Sequence, residues 1–138
     1  MPTTISPSPA PAQARKEQIR AMQERLRTFA RDVRTFVSKT PRTLSSLPDF
    51  RQLVRASGFV GAHYVNAGEA PSREDFLASI RGCRREAKQC AHWLELLNAN
   101  LDERSEEMRK ALVKEAGELE RIFGAIGAKV RKGDKKDA

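Results

Sequence analysis

The chain has 138 residues, with 26 Lys and Arg against 18 Asp and Glu, a formal net charge of +8, and 39% apolar residues. That composition supports one thin-cored domain, and no apolar run approaches the roughly 20 residues a membrane-spanning helix needs. Eight glycines and seven prolines are too few for a many-turned sandwich, and two cysteines are no disulfide framework, so a cytoplasmic protein is expected.

Residues 1–14, MPTTISPSPAPAQA, hold four prolines, no charge and no basic-then-apolar leader pattern, which predicts a disordered tail ahead of a domain spanning residues 15–130. Residues 131–138 read as a second, basic disordered tail. From Arg15 to Lys39 the apolar residues Ile19, Met22, Leu26, Phe29, Val33 and Phe36 step by 3 and 4, one side of a first helix that Pro41 ends.

A second helix is expected from Asp49, as N-cap, on Phe50, Leu53, Ser57, Val60, Tyr64 and Ala67. A third follows Ser72, with Asp75 three residues on forming a capping pair, on Phe76, Ile80, Cys83, Ala87, Cys90, Leu94 and Leu97. A turn over Asn98–Arg104 leads to a fourth from Ser105 to Val130, on Met108, Leu112, Leu119, Ile122 and Ile126. No strand-like alternation interrupts them. The fold class is therefore all-α, an up-down-up-down antiparallel four-helix bundle.

The second helix carries a second apolar side: Val54, Gly58, Phe59, Ala62 and Val65 lie opposite its core stripe. Four helices bury one side of each, so these five residues are expected at a contact between copies of the chain, making it a homo-oligomer.

Charge is segregated. Residues 15–55 hold eleven Lys and Arg against four Asp and Glu, whereas residues 56–100 hold five of each and residues 101–138 ten against nine. In the first helix Lys16, Arg20, Arg27, Arg31 and Arg34 fall within about 60° of one another, away from the core side. In the third, Arg81, Arg84, Arg85 and Lys88 span about 100°. Nine cations in two stripes, rich in Arg, suit a phosphate backbone, and few aromatics accompany them for base stacking. The competing reading is a solvated helix face in which Glu17 and Glu24 pair with the first stripe.

Catalytic chemistry finds no footing. Cys83 and Cys90 are seven apart on one helix, roughly 10.5 Å along its axis, and both lie on the core stripe. His63 has no Cys, Asp or Glu three or four residues away and His92 has Glu95 alone, too few ligands for a site, so no metal, cofactor or small-molecule substrate is expected. Gly58-Phe-Val-Gly61 lacks the Lys-Ser/Thr end of a phosphate loop, and Trp93, beside stripe residue Leu94, reads as core-edge packing.

Residues Arg55 to Leu97 resemble the 23S rRNA intervening sequence proteins. The resemblance rests on Gly61-Ala62, Tyr64, Ala67, Glu69-Ala70, Ser72, Asp75-Phe76, Glu86-Ala87 and Trp93 to Leu97, and it departs at Phe59, His63, Asn66, Ser79 and Cys90. It implies a bacterial, non-enzymatic four-helix bundle that assembles as a ring-like homopentamer. It further implies kinship with the accessory protein of diversity-generating retroelements, a basic pentamer serving a reverse transcriptase and its RNA. Nucleic-acid binding through the stripes is the expected role. The alternative is a protein-interaction scaffold or accessory subunit, for example of such a reverse transcriptase.

Overall fold

A computed structural model describes residues 11–97 and 101–137, with side chains to residue 133. Four helices fill it: α1 (Pro11–Lys39), α2 (Leu47–Gly68), α3 (Arg73–Leu96) and α4 (Glu103–Asp137). Each packs against its two neighbours in the cycle α1–α2–α3–α4–α1, and α2–α3 and α3–α4 are the most intimate pairs. Among the described residues there is no strand, and no helix is long and apolar enough to cross a membrane.

Local chemistry explains most of the boundaries. Thr40 is buried ahead of Pro41, its hydroxyl donating to the Phe36 carbonyl at 2.6 Å as α1 ends. Thr43 and Ser46 then hold each other: the Thr43 N–H donates to Ser46 Oγ at 2.8 Å, and the Ser46 N–H to Thr43 Oγ1 at 3.2 Å. Ser72 caps α3, accepting from the Asp75 N–H at 3.1 Å. At the head of α4, Asp102 Oδ1 accepts from the Ser105 N–H at 2.7 Å, a bond that holds the Asp102 carboxyl below its usual range.

Several boundaries differ from the sequence reading. Helix α1 starts at Pro11, so Pro11–Ala14 are helical rather than tail; proline is tolerated in a first turn because its missing N–H has no partner there. The disordered-tail expectation for residues 1–10 lies outside the described residues. Asp49 is not the N-cap of α2: Ser46 holds that position, without a side-chain cap bond, and Pro48 occupies the first turn. Helix α4 starts at Glu103 and continues to Asp137, so 131–137 are helical rather than a tail. Positions 98–100 of the expected turn lie outside the described residues.

The core is the predicted stripes with local shifts. Leu26, Phe29, Val33, Phe36, Leu53, Val60, Ile80, Cys83, Ala87, Cys90, Leu94, Leu112 and Leu119 are buried as expected. In α4 the stripe runs through Ser105, Arg109, Leu112, Ala116, Leu119 and Phe123, while Met108, Ile122 and Ile126 are half-buried. Passing over the polar Arg109 and the small Ala116 displaced the expectation by one residue. In α3 Leu77 is buried and Phe76 half-buried, and Tyr64 meets Phe123 across the core at 6.0 Å between ring centroids.

Candidate nucleic-acid interface

All nine stripe cations are exposed. On α1, Glu24 is the one carboxylate among the described residues that engages the stripe, reaching Arg27 at 3.3 Å and Arg31 at 3.6 Å. Arg34 instead donates to the Ala30 carbonyl at 3.0 Å. The other seven stripe cations form no ion pair among the described residues. The first three turns of α1, from Pro11 to Ala21, are exposed except for half-buried Ala14, so Lys16 and Arg20 stand on an exposed stretch of helix.

The structure does not bring the two stripes together within one chain. Arg34 lies over α2, its Nη2 3.7 Å from where a Cβ at Gly58 would stand. Arg84 lies over α4, its Nε 3.6 Å from the corresponding point at Gly124. Since α1 and α3 are diagonal in the bundle, the stripes face different sides.

Two other arginines have a different fate. Arg25 of α1 clamps α4, with Nε and Nη2 donating to Glu115 at 2.8 Å each and Nη2 also to Glu118 at 2.9 Å. Arg109 is 5% exposed, bonds Glu106 through two nitrogens at 2.9 and 2.6 Å, and donates to the Leu94 carbonyl at the end of α3 at 3.2 Å. These carboxylate bonds raise both guanidinium pKa values, Glu115 chiefly for Arg25 and Glu106 for Arg109. Both arginines tie helices together and are spent structurally.

The five residues expected at a subunit contact line the outer seam between α1 and α2. Val54, Gly58, Phe59 and Ala62 border a depression with Arg34 and Arg55, and Val65 borders the next one with Arg27, Ala30 and Gly61. Phe59 and Val65 are 42% and 51% exposed. Three cations that the stripes omitted sit on this seam: Arg42, Arg51 and Arg55. Their sequence signal was the positive excess of residues 15–55 and the i,i+4 spacing of Arg51 and Arg55 on α2. The Arg55 guanidinium covers the Phe59 ring at 4.8 Å.

The cysteines, His63 and Trp93 all make packing contacts, while His92 is exposed. Cys83 and Cys90 are free and buried, and burial pushes both thiols up to about 12. His63 stacks its ring over α3, so close that a Cβ at Gly82 would meet its Nδ1 at 2.7 Å, and it leans on Phe59 at 6.1 Å. Trp93 packs at the core edge with the His92 ring against it at 4.8 Å. The Glu86 Oε2 and Trp93 Nε1 atoms are buried without hydrogen-bond partners. No group of His, Cys, Asp and Glu that could hold a metal occurs among the described residues.

No family model matches the sequence, and no curated protein matches it. A solved structure does: a protein of unknown function from the S23 ribosomal protein family of Bacteroides thetaiotaomicron, with TM-score 0.64 and 21% identity over 80% of this chain and 97% of that one. The two share a fold. At that identity the likeness to the S23-family protein is one of helix arrangement, not of function.

Proposed function

We propose that this S23-like bundle is a non-enzymatic member of the 23S rRNA intervening sequence protein type that binds the phosphate backbone of nucleic acid. The observation that carries the reading is the exposed stripe Lys16, Arg20, Arg27, Arg31 and Arg34, five cations of which only Arg27 and Arg31 meet a carboxylate, Glu24, among the described residues. Such a surface contacts phosphates without reading bases, because guanidinium forks match phosphate oxygens and no exposed aromatic row accompanies them. The α3 stripe, Arg81, Arg84, Arg85 and Lys88, supplies a second and separate contact on another side of the chain.

The test is a salt titration of binding to structured RNA and to duplex DNA. Affinity should fall by about a hundredfold or more between 50 and 200 mM salt if five or six phosphates are engaged. Binding that survives that change would point to apolar contacts, and so to a scaffold or reverse-transcriptase accessory subunit.

A further inference from the structure

Along the outer seam of α1 and α2 lie three adjoining depressions of about 470, 250 and 190 Å³. The first two share Val54 and Arg55, and the second and third share Gly58. Together they follow α2 from Leu47 to Val65, about 27 Å at 1.5 Å per residue. The floor is apolar, with Val37, Leu47, Val54 and Ala62, and Phe59 and Val65 stand half out of it. Its rim carries Arg27, Arg34, Arg42, Arg51 and Arg55, and no Asp or Glu lines any part. Except for Arg27, these arginines form no ion pair among the described residues.

We propose that this seam is a docking groove for an acidic amphipathic helix of a partner protein. An apolar stripe at i, i+3, i+4 and i+7 would lie on the floor, where the small Ala62 lets a helix approach closely, and flanking Asp and Glu would meet the arginine rim. Five turns of helix, about 18 residues, fill the groove's length.

Charge complementarity selects this occupant. A second copy is suggested by the apolar side of α2 alone, but it also carries a net charge of +8, and the outward sides of its α1 and α3 are cationic. The exposed side of its α4 mixes Glu103 and Glu107 with Lys110, Lys114 and Arg121, so among the described residues no helix presents an uninterrupted acidic side. A nucleic acid would use the rim and leave the floor wet, since the floor is aliphatic except for Phe59, whose ring Arg55 already covers. The proposal stands whether or not the α1 stripe binds nucleic acid.

The experiment is fluorescence anisotropy of the full chain with a synthetic peptide of about 18 residues, Leu on one side and Glu on the other, beside a scrambled peptide of the same composition and a single-stranded oligonucleotide. The amphipathic peptide should bind at least about tenfold more tightly than the scrambled one. Phe59→Ser with Val65→Ser, a neutral change at exposed positions, should weaken the peptide about tenfold and leave the oligonucleotide unchanged. Arg51→Gln with Arg55→Gln should weaken the peptide similarly, because two charge pairs are lost. Equal binding of both peptides, or no binding, overturns the proposal. So does an oligonucleotide weakened as much as the peptide by the floor change. Sedimentation of the chain alone that shows assembly abolished by the floor change, with no displacement by the peptide, would assign the groove to a second copy and overturn it too.

Discussion

Arginines on two sides of this bundle look alike in sequence and differ in what holds them. On the α4 side, Arg25 and Arg109 are held by Glu115, Glu118 and Glu106 and join one helix to another. On the α1 and α2 side, Arg34, Arg51 and Arg55 have no carboxylate among the described residues and rest on carbonyls, rings or solvent. The balanced charge of α4 is what makes the difference: its glutamates are near enough to neutralise the arginines they meet. A cation count therefore says little until the acids have been placed.

The sharpest way to break that contrast is Arg109→Gln. It removes a bonded guanidinium from a buried site and leaves the Leu94 carbonyl without its donor, so a loss of about 2–4 kcal/mol is expected in urea unfolding. An unchanged midpoint would place Arg109 with the solvated arginines instead.

A smaller effect is expected where α2 meets α3. Gly82→Val drives a branched side chain into the His63 ring and should cost about 1–3 kcal/mol, most of it recovered when His63→Ala is added. If the double variant is no more stable than the single one, the close approach at Gly82 is not what the residue is for. Arg25→Gln comes next, at about 0.5–1 kcal/mol, because its clamp is partly open to solvent.

At neutral pH the thiols contribute no charge effect, but they should do so in alkali. Their folded pKa values of about 12 stand above the ordinary value of 9.0, so the folded state keeps protons that the unfolded chain releases. Stability from this source is fully present below pH 9 and declines from there toward pH 12. Thermal melts between pH 8 and 11 should show the decline in the native chain and less of it in Cys83→Ala with Cys90→Ala. At pH 8 neither thiol should react with a disulfide reagent until the protein unfolds.

The periodicity of Leu26, Phe29, Val33 and Phe36 gave the buried side of α1 correctly, though Ile19 of the same stripe is exposed because the first turns of α1 have nothing packed on them among the described residues. Ser72 with Asp75 gave the head of α3. The α4 stripe was misread where a charged residue, Arg109, lies inside, because hydropathy cannot see a guanidinium neutralised by Glu106 in the same turn. Helix ends were misplaced where polar tails continue a helix, as at Pro11 and in 131–137. For the candidate site, exposure of all nine stripe cations follows from their angle to the core. What angles on separate helices could not show was the seam, where Arg34 of one helix and Arg51 and Arg55 of another share a groove with Phe59.

The central claim, that the exposed cation stripe of α1 binds phosphate while the exposed cations of α4, interspersed with glutamates, do not, is tested most directly by paired triple variants under one salt series. Arg27→Gln, Arg31→Gln and Arg34→Gln should leave folding nearly unchanged, since exposed helix substitutions each shift stability by under about 0.5 kcal/mol. Affinity for RNA and DNA of any sequence should drop, and the salt slope should shallow by up to about one unit per lost contact. Lys110→Gln, Lys114→Gln and Arg121→Gln, on the exposed side of α4, should change both far less. Equal affinity and equal slope in the two variants would contradict the account and leave the α1 stripe a solvated face.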